Sequence, residues 1–232
     1  MVTVTNLTIF LRKKPILTEV SCTLLPGRIT LFLGKSGAGK TTLLKSIGGL
    51  IPLSSGTITL GHDDITGFTA SQRAEKIGYV FQEFNLFPHL TALENCTDPL
   101  LLQGTSTSDA QAQATALLTA FGLEKKLDSY PAQLSGGQQQ RIALARALCL
   151  QPNVLLCDEP TASLDPHNTD LLVTLLQSLA QQGLTIAVST QDMSFAKKIV
   201  DRAYLLEEGT IIEACESKKE HTTSPFLHDF LQ

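Results

Sequence analysis

The octet Gly34-Lys35-Ser36-Gly37-Ala38-Gly39-Lys40-Thr41 constrains this 232-residue chain more than any other feature. It follows a short apolar, β-rich run, residues 29–33, and leads into residues 41–48, which read as a helix. A buried strand that ends in a glycine loop and continues as a helix is the opening unit of a parallel α/β sheet. Its glycines let the backbone curl until successive N–H groups point inward, and the helix start adds partial positive charge. A loop of that kind grips phosphate. Lys40 is expected to reach the β- and γ-phosphates of a nucleotide, the Thr41 hydroxyl suits Mg²⁺, and Thr42 is counted with the same site.

The remaining pattern fits that start. Residues 2–10 and 17–25 read as strands ahead of the turn Pro26-Gly27, and residues 56–60 as another strand before a polar turn at 62–66. From about Phe87 to Leu150 alanine, leucine and glutamine dominate, with Asp109 a candidate cap for a helix over 110–121. Short apolar runs return at 154–157 and 185–189, separated by a helical pattern over 169–182. The expected fold is therefore α/β: a P-loop core with a mainly parallel sheet, an N-terminal antiparallel β portion and an inserted helical subdomain. One domain covers 1–232, with core 1–86 and 151–214, helical subdomain 87–150 and a tail, 215–232. The tail's Phe226, Leu227, Phe230 and Leu231 are expected to dock on the surface.

Composition excludes several classes. Eighteen basic against twenty-two acidic residues give a net charge of −4, so no overall positive field draws the chain to nucleic acid or an anionic bilayer. The five cysteines are widely spaced, without a C-x-x-C pair, and fit reduced thiols. Residues 1–10 alternate like a strand and lack the features of a signal peptide, and no run of about eighteen apolar residues offers a membrane span. A role at a membrane has to come through partners.

A second element, Val154-Leu155-Leu156-Cys157-Asp158-Glu159, ends an apolar strand in two carboxylates at the edge where open α/β sheets place ligands. Asp158 suits the Mg²⁺ shell and Glu159 a general base for the attacking water; taken alone, the pair reads equally as a strand meeting a solvated turn. A third, Leu134-Ser135-Gly136-Gly137-Gln138 followed by Gln139-Gln140-Arg141, opens a helix near Gln138 and presents a hydroxyl and N–H groups to an anion, though an S-G-G turn also serves as ordinary helix entry.

This third element resembles the signature motif of ABC ATPases. Gln82 after Gly78-Tyr79-Val80-Phe81, Pro160-Thr161 and Ser163-Leu164-Asp165 stand in the family's order, so the resemblance spans almost the whole chain. It implies ATP and Mg²⁺ as cofactors and a head-to-tail homodimer, or a pair with a closely related cassette. In that dimer Ser135, Gly136, Gly137 and Gln138 face the γ-phosphate held by the opposing Gly34–Thr41 loop. Gln82 is implied to sense the metal and the attacking water while its loop touches membrane permease subunits, and Asp165 to contact the partner. The stretch Val80-Phe81-Gln82-Glu83-Phe84-Asn85-Leu86-Phe87-Pro88-His89-Leu90-Thr91 is similar to the branch serving polar amino acid importers. Phe84, Leu86, Phe87 and Leu90 read either as core or as a cleft for a coupling helix.

Two positions depart from the family. Its usual histidine is Gln191 here, within Ser189-Thr190-Gln191-Asp192-Met193, which donates a hydrogen bond but carries no proton. Where the family stacks adenine on an aromatic ring stands Leu11; Phe10 faces the opposite side of a regular strand unless a bulge turns it. The resemblance implies a transport ATPase, peripheral on the cytoplasmic face of the membrane, driving uptake of polar amino acids through separate permeases with a binding protein involved indirectly. Two rivals stand beside it: a nucleotide switch or assembly subunit with weak hydrolysis, and an ABC ATPase of DNA repair or translation. The second is disfavoured by the chain's length and acidic balance.

Overall fold

The computed structural model describes residues 1–162 and 164–216. Ser163 and the expected docking of Phe226, Leu227, Phe230 and Leu231 lie outside the described residues. In chain order the elements are β1 (Val2–Leu11), β2 (Lys14–Leu24), β3 (Ile29–Leu33), α1 (Lys40–Ile47), β4 (Ser55–Leu60), β5 (Asp63–Asp64), α2 (Ala70–Ala74), β6 (Ile77–Val80), α3 (Ala92–Leu102) and α4 (Thr107–Ala120). They continue with α5 (Gly136–Leu148), β7 (Val154–Asp158), α6 (Pro166–Gln181), β8 (Thr185–Thr190), α7 (Met193–Ile199), β9 (Arg202–Glu207) and β10 (Thr210–Glu216). Among the described residues no helix is long and apolar enough to cross a membrane.

The larger sheet has the strand order β10-β9-β3-β8-β7-β6, parallel except for β10. Strands β3, β7 and β8 are buried at every position, as parallel strands covered on both faces must be. Their side chains divide by strand period: Leu31, Leu33, Leu155, Cys157, Ile186 and Val188 enter one core, while Phe32, Leu156 and Ala187 enter the other. The first core continues into α3, α4 and α5. The second is closed by α1 and by a smaller antiparallel sheet, order β2-β1-β4-β5, through Val2, Val4, Leu7 and Ile9.

This order sets up the site. Strand β8 lies between β3 and β7, with Leu33 opposite Thr190 and Asp158 opposite Ser189. The end of β3, where the glycine loop begins, is thus separated from the two carboxylates by a single strand.

Two local expectations change. Helix α4 is capped by Ser106, whose Oγ accepts from Asp109 N at 3.2 Å, so the helix starts earlier than Asp109 suggested. A hydroxyl three residues upstream of an acidic residue is the stronger cap signal. In β1 the register shifts between Ile9 and Phe10, and Phe10 and Leu11 are both exposed, 51% and 46%. Phe10 keeps the alternation that buries Ile9, and the irregularity leaves Leu11 exposed beside it where a regular strand would turn it inward.

The segment ahead of α3 is pinned by one buried side chain. Asn95 accepts from Phe87 N at 2.8 Å and donates through Nδ2 to the carbonyls of Phe87, Leu90 and Thr91. Phe84 is core, whereas Phe87 stays 42% exposed. Replacing Asn95 leaves one N–H and three carbonyls without this partner, so Asn95→Ala is expected to cost about 2–3 kcal/mol in urea-unfolding experiments.

Candidate functional site

The glycine loop is shaped by its neighbours. Gly34 has φ +146°, and a Cβ there would lie 2.3 Å from the Leu206 carbonyl oxygen on β9. Gly39 caps α1 with φ +105°, and a Cβ would meet Leu17 Cδ2 on β2 at 2.7 Å. The Gly209 N–H donates to Ala38 O at 3.1 Å, and Thr18 N donates to Gly209 O at 2.9 Å, so the loop is clasped between β2 and the β9–β10 turn. Lys35, Ser36 and Gly37 are left exposed. No side chain caps α1, which leaves its first N–H groups for an anion.

Lys40 is 5% exposed and spends its three donors internally: on Gly34 O at 2.7 Å, on Lys35 O at 3.1 Å and on Glu159 Oε1 at 3.3 Å. Asp158 accepts three hydroxyls, Thr41 Oγ1 at 2.9 Å and Ser189 Oγ at 2.6 Å on Oδ1, and Tyr79 OH at 3.3 Å on Oδ2. Burial, and then the Asp158 charge, push the Tyr79 phenol well above its usual range, so it stays a donor. The same two causes, in the same order, raise the Cys157 thiol and leave it inert.

Glu159 sits in the left-handed region with φ +45°, a strain of about 1–3 kcal/mol for a non-glycine residue. Its N–H is shared between Ser189 O at 3.1 Å and Ser189 Oγ at 3.0 Å, and its Oε2 accepts from the Gln191 N–H at 3.3 Å. Gln191 therefore reaches Glu159 through its backbone, a contact that does not depend on the side chain standing there. Gln191 also lines an open cleft of about 760 Å³ with Gly34, Lys35, Ser36, Gly37 and Ala38. Gln82 is exposed two residues beyond β6 and makes no hydrogen bond among the described residues.

The signature residues form a second cluster. Ser135 caps α5, which begins at Gly136 rather than near Gln138; Gln138 N donates to Ser135 Oγ at 3.3 Å, and Ser135 N donates to Gln138 Oε1 at 3.0 Å. Gly137 is packed so closely on Asn168 that a Cβ would lie 2.2 Å from its Oδ1. Asp165 caps α6, accepting from Asn168 N at 2.9 Å and Nδ2 at 2.7 Å, and these bonds hold its carboxyl below the usual range. One bond ties the two clusters: Gln140 Nε2 donates to the carbonyl of Pro160, the residue after Glu159. Sequence reasoning missed Ser189, Tyr79 and Gln140.

A donor-lined loop between a parallel strand and a helix, with a buried lysine against the second of two adjacent carboxylates, is the arrangement of a P-loop. Residues 17–162 match the ABC transporter family. An L-cystine transport system ATP-binding protein of Escherichia coli is 43% identical, covering 89% of this chain and 88% of its own. A glutamate transport ATP-binding protein of Corynebacterium glutamicum is 40% identical over 93% and 91%. A solved dimeric ATP-binding cassette holding ADP and Pi superposes with a TM-score of 0.84 at 33% identity, covering 93% of this chain and 98% of that one. The chain belongs to the ABC transporter family.

Gly34→Ala forces both a left-handed alanine and a clash with Leu206 O, and is expected to lower unfolding stability by about 2–4 kcal/mol. Gly37→Ala, whose Cβ meets nothing within 4 Å, is expected to cost only about 1 kcal/mol in the same denaturant measurement.

Proposed function

We propose that this chain is the ATP-hydrolysing subunit of an importer for polar amino acids, working as a dimer at the cytoplasmic face of a membrane through separate permease subunits. The observation that carries this reading is a pair of contacts at the loop, Thr41 on Asp158 at 2.9 Å and Lys40 on the adjacent Glu159 at 3.3 Å. The two curated relatives serve L-cystine and glutamate transport, which supports the substrate class. A substrate-binding protein acts on the permease side.

Loop amides from Gly34 to Thr41, with Lys40 and Thr42, hold the phosphates and carry their negative charge. Thr41 and Asp158, a hydroxyl and a carboxylate 2.9 Å apart, are the hard oxygen donors that Mg²⁺ takes, and Gln82 joins them from its loop. When bound, Mg²⁺ supplies charge neutralisation at the phosphates. Glu159 accepts a proton from water as the water oxygen bonds to the γ-phosphorus and the bond to the bridging β–γ oxygen breaks, giving ADP and phosphate. Freed from Lys40 by the phosphate's competition, its carboxylate is available for that proton, and Gln191 N–H orients it.

Ser135, Gly136, Gly137, Gln138 and Asp165 stand in a cluster apart from the loop of their own chain, and this supports a second copy completing each site. The solved cassette that this chain resembles is dimeric and bound to ADP and Pi, which supports the same reading. We read residues 87–150 as the helical subdomain that carries the signature, and residues 1–86 and 151–214 as the core. Phe10, exposed one pair beyond Ile9–Leu17, whose Leu17 lies against Gly39, is the aromatic ring offered to adenine.

On purified protein, Glu159→Gln is expected to cut phosphate release by about 10²-fold or more with nucleotide still bound, while Lys40→Ala abolishes binding measured by calorimetry. Absence of nucleotide uptake by the folded parent protein would end the reading. Gln191→His adds a group able to carry charge near the phosphate and is expected to raise turnover by about tenfold. An unchanged rate would mean that the backbone contact to Glu159 is enough.

A further inference from the structure

Strand β8, with sequence Thr185-Ile186-Ala187-Val188-Ser189-Thr190, is buried at all six positions, and a hydroxyl in such a place is costly unless it is bonded. Bonding is not automatic in this sheet: the equally buried Thr30 Oγ1 on β3 has no hydrogen-bond partner. Ser189 is different. Its hydroxyl, fully buried, donates to Asp158 Oδ1 at 2.6 Å and accepts from Glu159 N at 3.0 Å. Both bonds go to the two adjacent carboxylate residues of the site.

The geometry is asymmetric in a way that gives Ser189 a task. Asp158 Oδ1 is held from the helix side by Thr41 and from the sheet side by Ser189, whereas Oδ2 accepts only the longer Tyr79 bond. Thr41 is a flexible partner, because its hydroxyl is itself one of the oxygens offered to the metal. Ser189 lies directly opposite Asp158 in the sheet register and has no second duty toward a ligand. It is the fixed support of the carboxylate.

We infer that Ser189 is a positioning residue that presets the Asp158 carboxylate for the divalent cation and, through the Glu159 N–H, fixes the backbone of the neighbouring base. The inference rests on the reading of Thr41 and Asp158 as donors to a nucleotide-bound cation. Removing the hydroxyl leaves Asp158 free to turn toward Tyr79 and costs metal coupling rather than nucleotide grip. Outer partners that orient a metal-binding group are typically worth about 10–100-fold in metal affinity.

The test compares ADP affinity with and without Mn²⁺, free Mn²⁺ being followed by electron paramagnetic resonance, for the parent chain, Ser189→Ala and Ser189→Thr. ADP avoids turnover, so the readout is independent of activity. In Ser189→Ala the gain in affinity that Mn²⁺ confers on ADP is expected to fall about tenfold, with metal-free ADP affinity unchanged. Ser189→Thr keeps the hydroxyl and is expected to keep the Mn²⁺ gain, even where its added methyl lowers thermal stability. Equal loss of metal-free and Mn²⁺-dependent affinity in Ser189→Ala, or no loss in either, overturns the positioning role. Failure of the parent chain to bind ADP at all, or to bind it more tightly with Mn²⁺, overturns instead the reading on which the inference rests, and the inference with it.

Discussion

One buried carboxylate holds the site together. Asp158 is 3% exposed, yet it accepts hydroxyls from α1, β6 and β8, so three elements converge on two oxygen atoms. Burying that charge is tolerable only because these bonds replace its water. They exist because β8 is inserted between β3 and β7, which puts Ser189 opposite Asp158 and brings the start of α1 within reach. Sheet order, helix direction and hydroxyl placement are consequently not separable features of this fold.

Strand β2 of the smaller sheet and the β9–β10 edge of the larger one, which contribute none of the carboxylates, shape the loop all the same. Leu17 blocks any side chain at Gly39, and Leu206 O blocks any at Gly34, while Gly209 bridges Ala38 and Thr18. The loop is thereby preset by contacts from β2 and β9–β10 instead of by its own residues. Preset amides pay little reorganisation on meeting phosphate, which is where electrostatic stabilisation gains over water.

How much of this was legible in the sequence follows from which interactions are local. The glycine loop and the apolar strands β3, β7 and β8 depend on neighbours within a few residues, and pattern alone gives them. Strands β6, β9 and β10 and helices α3 and α7 were not read as such. Strand β6 is only four residues long, and α3 carries Pro99 and polar Asn95 whose roles become visible only in three dimensions. Asp109 misled because it lies inside a first turn that Ser106 already caps. Ser189 and Tyr79 were invisible as site residues since their partner lies 31 and 79 residues away, a separation that no local period encodes. The exposure of Leu11 beside Phe10 goes with a register shift against β2, again a property of the pair and not of the strand.

Both clusters satisfy their own polar groups internally. Lys40 is saturated by two carbonyls and Glu159, and the Ser135 oxygen is engaged by the Gln138 N–H. Nucleotide binding is then an exchange of bonds, and its free energy is the difference between phosphate and the internal stand-ins. Among the Lys40 contacts the one to Glu159 is longest, 3.3 Å, and it alone is not made by the loop itself. It is the bond that an incoming phosphate displaces at least structural cost, because the two carbonyl bonds help to keep the loop curled. On the proposed reading, the same displacement would release the carboxylate assigned to receive the water's proton. Occupation of the loop and readiness of the proposed base would then be a single event, because one ammonium has three donors and no more.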